Sequence, residues 1–246
     1  MDPLTIAAAG GLRARMESLE MLANNLANAA TGGYKTDREF YSLYISPEAA
    51  DGEADPAATL PVIERPWTDF SAGNLRVTDN PLDLALAGRG FFAVEGTSGP
   101  LFTRNGNFWV AADGSLVAAE GYPVRSVGGG RLQVQPGYPV VVDADGTVRQ
   151  QGQVAGRIEV LDIPDTAALA KQGNTYFRVT DPRLRPTPAA GTVVHQGKLE
   201  ESNVVAPEAA VRLVSLMRQF EMLQKAVTIG ADMNRRAVEE VARPNS

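Results

Sequence analysis

The sequence predicts an α+β protein in which helices at the two ends of the chain pair in a coiled-coil-like bundle, with an antiparallel all-β domain inserted between them. Two apolar seams with heptad spacing, one near each terminus, predict the helices. Short strand-like runs separated by Asn-Gly and Asp-Gly predict the β domain. We therefore expect an N-terminal helical segment at 1–44, a linker or extended arm at 45–66, the β domain at 67–199, and a C-terminal helical segment at 200–246 that packs on 1–44.

The first helix is predicted from apolar residues that recur with a 4-3-4-3-4 spacing, namely Leu12, Met16, Leu19, Ala23, Leu26 and Ala30. Asp2 can cap its start, and Pro3 suits the first helical position. Gly32 and Gly33 should end it, with Gly33 at a positive φ. Three asparagines near this end are unexpected, because Asn is a poor helix former.

The middle of the chain changes character twice. Residues 45–66 are rich in Pro, Ala, Asp and Glu and show no period, which is typical of a linker or extended arm. From 67 to 199 the runs are short and strand-like, and four tight turns are predicted between them, at Asn105-Gly106, Asp113-Gly114, Asp145-Gly146 and Gly173-Asn174.

The last segment predicts a second long helix, with an apolar seam that steps 3-4-3-4 along Leu213, Leu216, Phe220, Leu223, Val227, Gly230, Asn234, Ala237 and Val241. Ser202 or Asn203 can cap an early turn, and Pro207 fits the first turn. Pro244 does not allow the helix to continue.

The charge and composition exclude several classes of partner. The net charge of −6 argues against nucleic acid, which requires a basic surface. No stretch approaches the roughly 20 apolar residues of a membrane helix, so membrane insertion is not expected. The opening "MDPLTIAAAGGLRARM" does not resemble a secretory signal, because its arginines follow the apolar stretch. The helical ends are not basic, which disfavours a role at anionic membrane surfaces.

No catalytic, cofactor-binding or metal site is predicted. The chain has no cysteine and one histidine, His195, so thiol chemistry, the usual zinc ligand sets and a Ser-His triad are disfavoured. Asp143 and Asp145 begin like a calcium loop, but Val154 stands where such a loop needs its last acidic ligand. A hairpin turn is the simpler interpretation.

Three other features have equally ordinary explanations. The glycines of 127–131 are not followed by the Lys-Ser/Thr of a phosphate-binding loop. Glu200 and Glu201 are adjacent and lead into a helix, where acidic residues favour the N-terminal dipole. Trp67 and Trp109 can stack on a sugar, but packing in a core or an interface is more common.

Three motifs, in order along nearly the whole chain, resemble those of the bacterial flagellar axial proteins, the rod and hook family. The N-terminal motif "NNLANAATGGYKTDREF" has its pattern filled by Asn24, Asn25, Asn28, Thr31, Gly33, Tyr34 and Lys35. The central block covers 88–94, 103–108, 113–117 and 121–124. The C-terminal motif is filled by Gly197, Leu199, Glu200, Ser202, Asn203, Val204 and the stretch 218–221.

The resemblance implies a non-enzymatic structural subunit of the flagellar basal-body rod, with no cofactor. Its implied partners are copies of itself, other rod and hook subunits, and the flagellar type III export apparatus. The implied location is the periplasmic rod, reached without cleavage of a signal. The chain length and the opening sequence favour a proximal-rod subunit, with a distal-rod or hook-type subunit as the alternative. A secreted carbohydrate-binding β domain remains a remote alternative of another class.

The residues expected to carry assembly lie in the two helical seams and in the motifs next to them. We expect Asn24, Asn25 and Asn28 to satisfy backbone groups at the helix end and to reach neighbouring subunits, which would fix the register. Local capping is the competing interpretation. Tyr34 and Phe40 are expected to anchor the chain on the helical pair. The full set is Leu12, Met16, Leu19, Asn24, Asn25, Leu26, Asn28, Gly33, Tyr34, Lys35, Glu200, Ser202, Asn203, Leu213, Leu216, Phe220, Leu223 and Val227.

Overall fold

The computed structural model describes residues 3–39, 41–45, 59–63, 66–173 and 175–241, and it confirms an α+β fold with antiparallel strands. The chain divides into two compact units. The helical unit comprises Met1–Ala27, Asp37–Asp69 and Val205–Ser246. The β unit comprises Asn28–Thr36 and Phe70–Val204. The expected cap at Asp2, the anchor at Phe40, the stop at Pro244 and most of the expected linker lie outside the described residues.

The helical unit contains two long helices and four short strands. The helices are α1 (Pro3–Ala27) and α2 (Ala206–Val241). The strands are β1 (Asp37–Arg38), β2 (Tyr41–Ile45), β3 (Thr59–Ile63) and β4 (Trp67–Thr68). β1 pairs with β4 and β2 with β3, both antiparallel. The β2–β3 pair was not predicted, because its second strand lies within the compositionally biased stretch read as a linker.

The buried face of α1 differs from the seam predicted for that helix. The side chains of Ala14, Ser18, Leu22 and Asn25 are buried. Met16 is 51% exposed, and the seam leucines are only partly buried. α1 and α2 contact each other on a face with small residues, where a Cβ added to Gly11 would lie 4.0 Å from Leu223 Cδ1. Small side chains let helix backbones approach closely, so coiled-coil pairing through the predicted α1 seam is not confirmed.

The two faces of α2 differ in exposure. The predicted seam coincides with the less exposed face, where Leu216 is buried and Leu213, Phe220, Leu223 and Val227 are partly buried. On the opposite side five apolar residues are each at least 50% exposed. We call this set the outer stripe, and it consists of Val211, Val214, Met222, Ile229 and Met233.

The β unit is built on one six-stranded antiparallel sheet with the order β15-β16-β8-β7-β14-β17. Its strands are β7 (Phe91–Gly96), β8 (Gly99–Thr103), β14 (Val160–Asp162), β15 (Leu169–Gln172), β16 (Tyr176–Val179) and β17 (Thr187–Pro188). A single turn of 3₁₀ helix, Thr166–Ala168, precedes β15.

Smaller sheets complete the β unit, and their described pairings are antiparallel. They are β5 (Leu75–Val77) with β19 (Lys198–Glu200), β6 (Leu84–Ala87) with β18 (Val193–Gln196), β9 (Phe108–Val110) with β10 (Leu116–Ala118), and β11 (Val140–Val142) with β12 (Thr147–Gln150) and β13 (Gln153–Arg157).

Strand β7 separates two hydrophobic clusters. Phe92 and Val94 belong to the larger cluster, while Phe91 and Ala93 belong to the smaller one with Phe102, Ile163 and Phe177. Successive side chains of a strand point to opposite faces, so a strand covered on both sides needs apolar residues at every position. This explains the uninterrupted run Phe-Phe-Ala-Val in the sequence.

The predicted tight turns are only partly of the expected kind. Gly114 and Gly146 have positive φ values of 82° and 84°, as the hairpin prediction required. Gly106 is not among the residues with positive φ, and a Cβ there would lie 1.7 Å from the carbonyl oxygen of Leu84. Its glycine is therefore needed for a close approach of two backbones, and the hairpin interpretation at Asn105-Gly106 was wrong.

No helix in the described part of the chain is long and apolar enough to cross a membrane.

Candidate functional site

The residues that follow α1 belong to the β unit. We call Asn28–Thr36 the strap, because it is separated in sequence from the rest of that unit. The amide of Gly33 donates a hydrogen bond of 2.7 Å to the carbonyl oxygen of Glu200. Gly33 has a φ of 67°, and a Cβ there would lie 2.2 Å from the backbone nitrogen of Asn105. The strap thus lies so close to the backbone at Asn105 that only glycine fits.

A buried ionic cluster fixes the end of the strap. Glu200 Oε1 accepts hydrogen bonds from Lys35 Nζ at 2.6 Å and from the Gly73 amide at 3.0 Å. Glu200 Oε2 accepts from Arg104 Nη1 at 3.2 Å. The side chains of Lys35, Arg104 and Glu200 are 0%, 7% and 1% exposed. Charges buried this deeply are tolerated when they are paired and hydrogen-bonded, as they are here.

Backbone carbonyls and aromatic rings support the cations. Lys35 Nζ also donates to the Ser71 carbonyl at 2.6 Å. Arg104 Nη2 donates to the Gly88 carbonyl at 2.7 Å, and its guanidinium lies 5.4 Å from the centre of the Phe91 ring. These contacts distribute the positive charge over several acceptors, in a site that contains one carboxylate between two cations.

Tyr34 is buried on the same strap. Lys171 Nζ lies 4.2 Å from the centre of the Tyr34 ring and donates to the carbonyl oxygen of Lys35 at 2.9 Å. The strap is therefore held through its backbone, through an aromatic side chain and through a cation.

Asn203 joins the strap to the chain at Ser71. Its Oδ1 accepts from the Thr36 amide at 2.8 Å and from Thr36 Oγ1 at 2.7 Å. Its Nδ2 donates to the carbonyl oxygen and hydroxyl of Ser71 at 3.2 and 3.1 Å. The helix cap predicted at this position is replaced by this role, and Ser202 Oγ accepts from the Val204 amide.

The three asparagines of the opening motif have different environments. Asn25, in the helical unit, is buried; its Nδ2 donates to the Asp37 carbonyl at 2.8 Å, and its Oδ1 accepts from the Asp37 amide at 3.0 Å. Asn28 is buried, and its carbonyl oxygen and Oδ1 accept from Thr31. Asn24 is exposed. These contacts are local, and a role in register between subunits stays a prediction.

The structure thus brings together Gly33, Tyr34, Lys35, Glu200 and Asn203 from the two ends of the sequence. Sequence reasoning missed Arg104, Ser71 and Lys171. Arg104 lies in the central motif, but its carboxylate partner is 96 residues away, and no local pattern indicates it. Among the described side chains no group of three or more His, Asp or Glu could hold a metal ion.

A fold with two long helices, an antiparallel β unit and charges used for packing defines a structural protein. Comparison with known proteins gives the family. The N-terminal residues 7–35 match the model of the flagella basal body rod protein. Residues 85–155 match the D1 domain of the flagellar hook protein FlgE/F/G, and residues 195–240 match the C-terminal part of the basal body rod FlgEFG proteins.

The similarity to individual relatives extends over nearly the whole chain. The basal-body rod protein FlgF of Caulobacter vibrioides is 34% identical over 92% of this chain and 93% of its own length. FlgG of Agrobacterium fabrum is 32% identical, with 95% and 97% covered, and FlgF of Salmonella typhimurium is 31% identical, with 93% and 94% covered. The chain belongs to the family of flagellar basal-body rod proteins.

Proposed function

We propose that this chain is a structural subunit of the flagellar basal-body rod that polymerises through its terminal helices with copies of itself and with other axial proteins. The observation that supports this most directly is the outer stripe of α2, which is apolar and exposed in the single chain. Resemblance to FlgF favours the proximal rod, with a distal-rod or hook-type position as the alternative. The carbohydrate-binding alternative is not favoured by the family.

The outer stripe supplies a driving force for assembly. Each Å² of apolar surface removed from water contributes about 25 cal/mol, so five large apolar side chains can contribute several kcal/mol when covered by a neighbour. α1 offers a second face for the same purpose, since Met16 is half-exposed and Leu12, Leu19 and Leu26 are only partly buried. On this proposal the predicted α1 seam contacts neighbouring subunits.

The geometry of such contacts decides the shape of the product. The outer stripe and the α1 seam are different surfaces of one chain, so a contact between them is head-to-tail. Head-to-tail contacts that do not close produce helical filaments, as a rod requires. The terminal segments 1–44 and 200–246 each have a formal charge of only −1, four bases against five acids and six against seven, so many copies can pack there with little repulsion.

Export and location are part of the same proposal. We propose export by the flagellar type III apparatus without cleavage of a signal, and a position in the periplasmic part of the basal body. Both follow from membership of the family and not from a contact in the structure. Production of the chain in a strain whose export apparatus is inactive should then leave it inside the cell, as detected by fractionation.

The assembly proposal is tested with two double variants of α2 that add the same charge. Met222→Lys/Ile229→Lys changes the outer stripe, and Gln224→Lys/Thr228→Lys changes exposed polar positions on the same helix. We expect both purified proteins to keep the wild-type circular dichroism spectrum and melting temperature. In cells lacking the native subunit, the stripe variant should reduce incorporation into isolated basal bodies at least about tenfold, because a lysine buried at each contact costs several kcal/mol.

The control variant should assemble and support swimming. Wild-type incorporation of the stripe variant would contradict assembly through this face. Complementation of strains that lack either the proximal-rod or the distal-rod subunit distinguishes the two positions, since a proximal subunit should restore swimming only in the first.

A further inference from the structure

We propose that the strap is a lock on the β unit and that the ion pair between Lys35 and Glu200 is its latch. The β unit is then complete only when a segment from the N-terminal end of the chain has been inserted into it. This coupling goes beyond polymerisation of the helices and does not depend on it.

Burial of charge is the first argument for a latch. Glu200 is 1% exposed, and its carboxylate is bonded to Lys35 Nζ, Arg104 Nη1 and the Gly73 amide. If the strap leaves, Lys35 goes with it, and the carboxylate loses one of its two cationic partners. Breaking a buried ion pair from one side is strongly unfavourable, because the remaining charge is left uncompensated. The empty site therefore favours return of the strap.

The distribution of contacts is the second argument. Lys35 Nζ bonds the Ser71 carbonyl and the Glu200 carboxylate, while Asn203 bonds Thr36 and Ser71. The strap thus bridges two stretches of the β unit, near 71–73 and 200–203, that are more than 120 residues apart in sequence. Removal of the strap would release both stretches together, which makes its insertion cooperative.

Position in the sequence is the third argument. The strap begins at the residue after the last residue of α1, and Asn25 bonds both backbone groups of Asp37, just beyond the other end of the strap. The chain is therefore held at the base of the strap as well as at its tip. Locking of the strap fixes the path by which the chain leaves α1.

The test is a double-mutant cycle in the full-length chain, with unfolding of the β unit measured separately. The two tryptophans allow this, since Trp67 lies in the helical unit and Trp109 in the β unit. In a Trp67→Phe background, urea unfolding followed by Trp109 fluorescence is measured for Lys35→Met, Glu200→Gln and the double variant. Lys198→Met, which removes a lysine elsewhere in the β unit, is the control.

Lys35→Met and Glu200→Gln should each lower the folding equilibrium constant at least about 100-fold, and Lys198→Met should change it less than fivefold. The double variant should be less affected than the product of the single effects by at least about tenfold, because the charge that the first change leaves unpaired is removed by the second. Independent, multiplicative effects would overturn the latch.

Native-state hydrogen exchange tests the lock itself. In Lys35→Met the amides of 31–36, 71–75 and 200–203 should lose protection together by at least tenfold, while those of 140–157 keep it. Retained protection of the strap would overturn the proposal. If Glu200→Gln does not fold, Lys35→Arg against Lys35→Met keeps the test decisive, since the arginine variant retains the charge and should keep more of the protection.

Discussion

Gly32 and Gly33 are neighbours in the strap with opposite requirements. Gly33 has a positive φ, and an added Cβ would lie 2.2 Å from the Asn105 nitrogen, a distance that no backbone tolerates. Gly32 has an ordinary φ, and its Cβ would meet only the Asn105 side-chain oxygen at 3.4 Å. One of these glycines is therefore required by the tertiary structure, whereas the other is not.

Replacement of each glycine by alanine should separate these requirements. We expect Gly33→Ala to lower the free energy of unfolding by more than about 2 kcal/mol, because it combines strain with a clash against backbone. Gly32→Ala should change it by less than about 1 kcal/mol. Urea denaturation of the two variants measures both values, and equal effects would show that the strap does not approach Asn105 as described.

At the scale of the element, α1 shows how a regular sequence pattern can point to the wrong contact within a chain. The heptad seam is the more hydrophobic face, yet the buried face carries Ala14, Ser18 and Leu22. Ser18 donates hydrogen bonds to the Ala14 carbonyl and to Glu39, and Glu39 also accepts from Arg212 of α2 at 2.6 Å. The face that packs inside the chain is therefore small and partly polar.

Two substitutions in α1 distinguish the seam from the buried face. Ser18→Leu should lower the thermal midpoint of the helical circular dichroism signal, because a large side chain at a fully buried position overpacks it and removes the bonds of the hydroxyl; the expected cost is about 1–3 kcal/mol. Met16→Ser should leave the midpoint of the unassembled protein within a few degrees of wild type. A larger loss for Met16→Ser would mean that the predicted seam is the intramolecular face after all.

At the scale of the whole molecule, neither unit is a continuous piece of chain. The helical unit takes three segments and the β unit two, and the strap alone places N-terminal residues in the β unit. The stability of the β unit consequently depends on residues that sequence analysis assigned to a helical segment at 1–44. Tyr176 lies in the main sheet of this unit and reports on its integrity.

Alkaline unfolding should reveal the burial of Tyr176. Burial raises the pKa of its hydroxyl from 10.0 to about 12. Between these values the unfolded chain releases the phenol proton and the folded chain keeps it, so the stability that this group contributes below pH 10 is lost as the pH rises towards 12. The loss can reach about 2–3 kcal/mol over that interval.

Tyr176→Phe should remove that part of the alkaline decline and leave stability at pH 8 within about 1 kcal/mol of wild type. Tyr138→Phe, at an exposed position, should behave as wild type at both pH values. The measurement is urea unfolding at pH 8, 10 and 11.5. An unchanged slope in Tyr176→Phe would mean that other groups cause the loss.

The sequence by itself determined the α+β class, the existence of both helices and the β character of the middle, since these depend on local periodicity and turn chemistry. It also determined the family, because three motifs in order are specific. It located the apolar seam of α2. The motif residues themselves, such as Lys35 and Glu200, were singled out correctly as important, but without the physical reason for their importance.

Only the tertiary structure decided which groups meet. Lys35 and Glu200 are 165 residues apart, and a buried ion pair leaves no local pattern, because each partner alone reads as an ordinary charged residue. The same holds for the close approach of Leu84 to Gly106 and for the small-residue face of α1. Periodicity reports how apolar each face of an element is, whereas the partner of that face depends on the packing of the whole chain, and here the strongest seam of α1 was not the face that the chain buries.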